Sequence, residues 1–276
     1  MEVSLLLKEV LLCRDVRVQV PTVALRGEGV LLQCLYDLEG DSLYSVKWYK
    51  DNEEFFRYVP KANPVLHSYR LEGIKVDHHK SDSRRVFLRS VTLKTSGVFR
   101  CEVSAEAPSF SSGQEEGTLH VVHLPKDGPH ITGERTQYEI GDDINLNCTS
   151  GRSHPPSILQ WFINDKQVTR PDMLVPLAPV LHPGGLATSA LGLRFSVRAS
   201  HFVAGSMRVR CVASVTPAAP VLWSAGQEMA PVLGTASTVV LDNREAMLLV
   251  RSDSIRLRPS LLQSSIILLL LTTWFI

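Results

Sequence analysis

Cysteine is the residue type whose spacing in this chain most clearly predicts chemistry. Five cysteines occur, and the last four form two pairs, Cys34 with Cys101 and Cys148 with Cys211, whose members lie 67 and 63 residues apart. Two pairs of similar span predict two disulfides and therefore an oxidising compartment. The alternative is a set of reduced, buried cysteines in a cytosolic protein. Cys13 is left without a predicted partner.

Other residue types that could carry out chemistry do not form a convincing site. Asp77, His78 and His79 are metal-ligating types, but neighbours in an extended chain point to opposite sides, so a solvated loop is expected instead. Gly184-Gly185 lacks the strand-to-helix context of a phosphate loop. The net charge of +1, from 29 basic and 28 acidic residues, gives no reason to expect nucleic acid as a partner. We therefore predict a protein that is not an enzyme and that uses no metal or cofactor.

The segment Leu43–Pro60, which lies between the first two paired cysteines, has the pattern of two strands joined by a turn. Val46 and Trp48 alternate with Lys47 and Tyr49, which is typical of a half-buried strand. Asp51-Asn52 favours a tight turn, because both side chains tolerate left-handed backbone. An aromatic run, Phe55 to Tyr58, follows the turn, so the segment predicts a hairpin.

A tryptophan between two cysteines recurs along the chain. Trp48 follows Cys34 by 14 residues, and Trp161 follows Cys148 by 13. This spacing is typical of the immunoglobulin sandwich, in which the indole packs on a disulfide between two sheets. We predict an all-β chain of two tandem immunoglobulin-like sandwiches, the first of variable type, followed by a stalk and a C-terminal hydrophobic tail. The predicted segments are an incomplete or atypical signal at 1–14, the domains at 15–123 and 124–233, the stalk at 234–259 and the tail at 260–276.

Two details of the sequence depart from the usual pattern of such sandwiches. Phe99 stands where a tyrosine commonly braces the turn before the last-but-one strand, and it has no hydroxyl for that hydrogen bond. The last strand of the second domain is expected within 215–224, although Pro217 and Pro220 interrupt it.

Both ends of the chain carry apolar segments. The first is interrupted by Lys8 and Glu9, so it is either a poor signal peptide or evidence that the true N-terminus differs; we favour the second, since disulfides imply secretion. The last segment resembles a glycolipid-anchor signal, with Ser252 or Ser254 as the attachment site. A short membrane span is the alternative.

Asn147-Cys148-Thr149 is a glycosylation sequon. Because Cys148 must face inward, Asn147 is expected to face outward on its strand, where a sugar could be attached. The alternative is an ordinary exposed asparagine, since cysteine in the middle of a sequon disfavours modification.

The outer face of one sheet in the first domain is the predicted partner-binding surface. Exposed aromatic and arginine side chains are the composition of interface hot spots, and the alternative is a solubilising face with a few stray aromatics. The predicted residues are Lys47, Tyr49, Phe55, Phe56, Arg57, Tyr58, Arg100, Glu102 and Ser104, with Phe110 at the rim.

Several motifs resemble the beaten path family of neuronal immunoglobulin-superfamily proteins. They are Tyr36–Gly40, Leu43–Lys50, Phe56–Pro60, Phe99–Ser104, Ala107–Phe110 and Asn147–Ser150. The resemblance covers about residues 15–215. It implies a secreted or membrane-attached protein that binds sidestep-family immunoglobulin receptors in axon guidance or synaptic partner choice. A homophilic adhesion molecule and a soluble, secreted anti-adhesive factor are the alternatives.

Overall fold

The computed structural model describes residues 16–135, 137–217 and 240–252. Its first part is a sandwich of two sheets, in which alternating residues of each strand face a shared core. The strands are, in chain order, β1 (Arg17–Gln19), β2 (Val23–Leu25), β3 (Val30–Leu35), β4 (Leu43–Lys50), β5 (Glu53–Tyr58), β6 (Leu66–Ser68), β7 (Arg85–Leu88), β8 (Gly97–Ala105) and β9 (Ser112–Val122). One sheet has the order β1-β3-β7 and the other β2-β9-β8-β4-β5-β6.

The predicted disulfide and tryptophan lie at the centre of this sandwich. Cys34 and Cys101 are bonded across the two sheets with their Cα atoms 6.2 Å apart, and Trp48 is fully buried between the sheets. The edge strand β6 pairs with β5 in the six-stranded sheet, so the first domain has the additional edge strands of a variable-type sandwich. The disulfide and the sandwich that the cysteine–tryptophan spacing predicts are therefore confirmed for this domain.

The turn between β4 and β5 forms as its sequence predicts and also supports a neighbouring strand. Asp51 and Asn52 both have positive φ angles, 48° and 70°, as the two-residue hairpin turn of this handedness requires. The Asp51 carboxylate accepts a hydrogen bond of 2.9 Å from the Val98 N–H at the start of β8. The turn therefore fixes both β5 and β8 against β4.

Two predicted partner-binding residues, Phe55 and Phe56, are wrong because both side chains face the core, and for Phe55 the cause is a bulge in β5. Trp48 pairs with Phe56, but Tyr49 pairs with Glu54, so Phe55 is an extra residue in β5. Phe56 faces inward opposite the buried Trp48, and the insertion turns Phe55 to the same side, so neither ring has exposed surface. Tyr58 lies opposite the buried Val46 and packs, half-buried, against the same core.

Polar contacts stabilise the connection between β7 and β8, where Phe99 cannot make the hydrogen bond of a corner tyrosine. Thr95 lies in a 3₁₀ turn (Leu93–Thr95), is fully buried and donates a 2.6 Å hydrogen bond to the Gly73 carbonyl. His78 and His79 lie in another 3₁₀ turn (His78–Lys80) rather than in an extended chain, and the His78 ring is hydrogen-bonded to Ser68.

The second part of the chain is also a sandwich of two sheets. Its strands are β10 (His130–Thr132), β11 (Gln137–Tyr138), β12 (Asp143–Thr149), β13 (Ile158–Ile163), β14 (Lys166–Gln167), β15 (Leu174–His182), β16 (Leu186–Ser196), β17 (Ser206–Val215) and β18 (Asp242–Ser252). The sheet orders are β10-β12-β16-β15 and β11-β18-β17-β13-β14. Further 3₁₀ turns occupy Pro171–Met173 and Ala199–His201. The Cys148–Cys211 disulfide and the buried Trp161 occupy its core.

The strand β18 corrects the predicted stalk. It pairs antiparallel with β17 from Ser206 opposite Arg251 to Val215 opposite Asp242, and its Val250 is fully buried. Residues 242–252 therefore complete the second sandwich, and the predicted last strand at 215–224 lies mostly outside the described residues. Also outside the described residues are the predicted signal segment 1–14, the predicted attachment residue Ser254 and the predicted tail 260–276.

Two histidines join the sandwiches through their backbones. His123, at the end of the first domain, and His154, in the second, exchange N–H···O hydrogen bonds of 2.8 and 2.9 Å. Gly151 lies against Pro125 and Asp127 of the short connecting segment, where a side chain would not fit. The junction is thus held by direct contacts as well as by the chain.

Candidate partner-binding face

The outer face of the six-stranded sheet arranges its side chains in rows, because residues opposite each other in neighbouring strands point the same way. One row runs across Arg57, Lys47, Glu102 and Gln114. The next runs across Glu54, Tyr49, Arg100 and Glu116. Ser104, opposite Ser45 and Ser112, belongs to a third row. We refer to this surface as the CFG face, after strands C (β4), F (β8) and G (β9).

Each cation of the row through Lys47 forms a close ion pair, one within the row and one with the next row. The Lys47 ammonium lies 3.0 Å from one oxygen of Glu102, and the Tyr49 hydroxyl donates to the other oxygen at 3.3 Å. Arg57 donates two hydrogen bonds to Glu54, at 2.7 and 2.9 Å. The paired fork geometry fixes the guanidinium plane of Arg57. The central cations are therefore held in place before any partner arrives.

The neighbouring row places a cation over an aromatic ring. The guanidinium carbon of Arg100 lies 4.6 Å from the centroid of Tyr49, within the range of a cation–π interaction. Its Nη1 is 3.9 Å from Glu116, whose side chain is half exposed. The Arg100 Nε is buried and has no hydrogen-bond acceptor among the described residues. Arg100 is thus fixed mainly by packing on Tyr49.

The pKa values on this face follow from burial and from the carboxylates. Burial disfavours the charged form of Lys47, but its hydrogen bond and its attraction to Glu102 outweigh that effect and raise its pKa above the ordinary value. Burial, followed by the charge of Glu102, raises the pKa of Tyr49. The hydrogen bonds to Glu54 raise the pKa of Arg57. Lys47 and Arg57 therefore stay charged and Tyr49 stays neutral across the physiological pH range.

Two aromatic side chains are exposed at one end of the CFG face. Phe110, in the turn between β8 and β9, is 74% exposed and has a positive φ of 49°. Ser109 donates a 2.6 Å hydrogen bond to Asp41, which ties this turn to the segment before β4. Tyr44, at the start of β4, is 56% exposed. A fixed loop that presents an exposed phenylalanine is a favourable anchor for a protein partner.

Tyr44 was not predicted, because the alternation of β4 is interrupted there. Leu43 pairs with Ala105 and Ser45 pairs with Ser104, so Tyr44 is an extra residue at an irregularity in the ladder. A strict period of two would place Tyr44 inside with Val46 and Trp48. Seven of the ten predicted residues thus lie on the CFG face or at its rim: Lys47, Tyr49, Arg57, Arg100, Glu102, Ser104 and Phe110.

Other predicted sites lie away from this face. Asn147 is exposed on the outer side of β12, while Cys148 faces inward. Ser252 is the last residue of β18, where it pairs with Tyr138. Within 16–135, 137–217 and 240–252, no cluster of histidine, cysteine or carboxylate side chains is suited to a metal ion. No helix in those ranges is long and apolar enough to span a membrane.

Comparison with known proteins agrees with this architecture. Residues 17–123 match the family described as Immunoglobulin V-set domain. The chain is 25% identical over 143 residues to cell adhesion molecule 2 of Xenopus tropicalis, a match that covers 52% of this chain and 30% of that protein. It is 22% identical over 144 residues to cell adhesion molecule 1 of Mus musculus, covering 52% and 29%. The chain thus spans less than a third of the length of these relatives.

Solved structures show the same fold. The crystal structure of Rst D1-D2 matches with a TM-score of 0.50 and 18% identity, covering 87% of this chain and 100% of that one. Murine CEACAM1b matches with a TM-score of 0.50 and 19% identity, covering 72% and 92%. These structures agree in fold alone; it is the V-set match and the similarity to cell adhesion molecules that support a place for this chain in the immunoglobulin superfamily.

Proposed function

We propose that this protein is an extracellular recognition protein that binds another cell-surface receptor through the CFG face of its first domain. The observation that carries the proposal is the pre-organised network of Lys47, Glu102, Tyr49 and Arg100, with the exposed Phe110 at its rim. Pre-ordered charged groups lose little side-chain entropy on binding, and an exposed aromatic supplies buried area. The similarity to cell adhesion molecules supports a cell-surface role.

For the partner, we propose an immunoglobulin receptor of the sidestep family. This identification rests on the resemblance of the chain to beaten path proteins, whose motifs include the β4 segment and Phe99–Ser104. The role that we propose with this partner is axon guidance or synaptic partner choice. A binding screen of the secreted chain against a panel of immunoglobulin receptors tests the identification independently of the face.

Charge reversal on the CFG face tests the binding surface. Lys47→Glu leaves two facing carboxylates and should weaken binding strongly, by at least about tenfold for a disturbed interface ion pair of about 1.5 kcal/mol or more. The double variant Lys47→Glu with Glu102→Lys restores the internal pair in reverse orientation. If binding depends on the outward charge pattern, the double variant stays weak; if the pair only supports the fold, the double variant recovers.

A truncation at the rim with a matched control completes the test. Phe110→Ala should lower affinity without changing stability, because the ring is exposed in the unbound protein. Leu31→Ala is the control, since Leu31 is 38% exposed on the opposite sheet of the same domain. Equal binding by the Phe110 and Leu31 variants, together with normal binding by Lys47→Glu, would show that the CFG face is not the binding surface.

Homophilic adhesion is a second candidate, favoured by the charge balance of the same face. Lys47, Arg57 and Arg100 are matched by Glu54, Glu102 and Glu116, so two copies related by a twofold axis could set opposite charges against each other. Analytical sedimentation decides between the two candidates. A monomer at micromolar concentration would exclude a strong homodimer and favour a different receptor as the partner.

We also propose membrane attachment through a glycolipid after the second domain, at Ser252 or Ser254. Because Ser252 is paired in β18, Ser254 is the first position to test. Phospholipase treatment of expressing cells should release the protein into the medium. Retention on the cells would favour a short membrane span instead.

A further inference from the structure

The outer face of the β10-β12-β16-β15 sheet combines a glycosylation sequon with an apolar stripe on the neighbouring edge strand. We refer to Val175, Leu177 and Val180 as the β15 stripe. Leu177 is 40% exposed and Val180 is 55% exposed. Val180 lies opposite Thr188 and Leu177 opposite Ala190, on the same side of the sheet as Gly192. This stripe is outside the CFG face and is not used by the proposed binding function.

Asn147 points toward this stripe. It lies in one row with Gly192 and Val175, across β12, β16 and β15. A Cβ atom built on Gly192 would be 3.2 Å from the Asn147 Oδ1 and 2.9 Å from the Val175 Cβ. The absence of a side chain at Gly192 therefore leaves a gap across which the Asn147 amide and Val175 face each other.

The asparagine of the sequon has the exposure that modification requires. Asn147 is exposed, and Cys148 is fully buried in the disulfide with Cys211, so the strand cannot rotate its asparagine inward. Thr149, the third sequon residue, is opposite Ala190 next to Leu177. A sugar attached to Asn147 would leave the sheet beside the β15 stripe.

We propose that Asn147 carries an N-linked glycan and that its first sugars cover the β15 stripe. The donor is a lipid-linked oligosaccharide pyrophosphate: its sugar C1–oxygen bond breaks, the Asn147 Nδ2–C1 bond forms, and Nδ2 loses one proton as the lipid pyrophosphate leaves. The glycan shields an apolar edge strand, which otherwise offers unpaired backbone and side chains to another copy.

Modification is tested with the full chain directed through the secretory pathway of a eukaryotic cell. Peptide N-glycosidase treatment should increase the gel mobility of the secreted protein. Asn147→Gln and Thr149→Ala should each abolish the shift, whereas Asn145→Gln should keep it, because Asn145 is exposed on the same strand face but is not in a sequon. Absence of the shift in the secreted parent protein overturns the proposal.

Coverage of the stripe is tested by thiol labelling in a Cys13→Ser background, which removes the fifth cysteine. Leu177→Cys should react with a maleimide several-fold more slowly in the glycosylated protein than after enzymatic deglycosylation. Ile158, on the other sheet of the same domain, is 53% exposed. Ile158→Cys should therefore react equally fast in the glycosylated and the deglycosylated protein. Equal rates for Leu177→Cys in both states would refute coverage of the stripe even where the glycan is present.

Discussion

Replacement of Phe55 by alanine tests the bulge that corrects the predicted binding surface. Phe55 has no exposed surface, and its ring meets Phe99 edge-on, with centroids 5.9 Å apart and planes at 85°. Truncation of a buried phenylalanine costs about 3–5 kcal/mol, because apolar contacts are lost and a cavity remains. We therefore expect Phe55→Ala to lower the unfolding free energy of the first domain by that amount.

Arg57→Ala is the matched control on the same strand. Its side chain is 37% exposed and its ion pair with Glu54 is at the surface, so the loss of unfolding free energy should be about 1 kcal/mol or less. If Phe55 instead projected toward a partner, both variants would be nearly as stable as the parent and both would bind less.

Hydrogen exchange in increasing urea, followed by mass spectrometry of peptides from β4 and β8, measures this difference for the first domain alone. This assay avoids the overlapping transitions that a whole-chain signal would give for two sandwiches. An unchanged exchange midpoint for Phe55→Ala would refute the inward position of the ring and, with it, the bulge.

Three further changes test other contacts. Thr95→Val removes the donor to the Gly73 carbonyl and should cost the first domain about 1–3 kcal/mol by urea unfolding, whereas Thr95→Ser should cost less. Desolvation opposes the charged form of Asp51, but hydrogen bonds from Lys50 and Val98 lower its pKa. The resulting stability is present above the unfolded-state pKa and is lost as pH falls through the lower folded-state pKa, so the acid end of the pH–stability profile should flatten in Asp51→Asn. Ending the chain at residue 241 removes β18 and should make the second domain protease-sensitive, whereas ending it at 252 should not.

Local chemistry and paired cysteines could be predicted from the sequence. Asp51 and Asn52 favour the observed turn through their own backbone preferences, whatever the rest of the chain does. The positions of Trp48 and Trp161 follow from their distance to the cysteines, because the sandwich must close around a disulfide. These features depend on few residues, each of which carries a clear preference.

Features that depend on how strands align could not be predicted. The bulge at Phe55 adds one residue to β5, and a period of two cannot show where such an insertion occurs. The strand β18 has apolar residues on both sides, since Met247 and Leu249 are exposed while Val250 is buried, so its alternation is obscured. Its pairing with β17 after a long intervening segment is decided by the core of the second domain.

The second domain shows which features of the CFG face follow from the fold. Arg210 lies opposite Phe162, with its guanidinium 5.0 Å from the ring, as Arg100 lies over Tyr49 in the first domain. In both domains the arginine is the residue before the second core cysteine. An arginine packed on the aromatic that follows the core tryptophan is therefore common to both sandwiches.

The residues that differ between the domains are the better candidates for partner recognition. Lys47 and Glu102 form an ion pair in the first domain, whereas the equivalent positions in the second are Gln160 and Val212, which lie opposite each other without opposite charges. If recognition depends on what is particular to the first domain, Lys47→Glu should weaken binding more than Arg100→Lys, which keeps the charge above Tyr49. The reverse order in a binding assay would assign recognition to the arginine–aromatic contact.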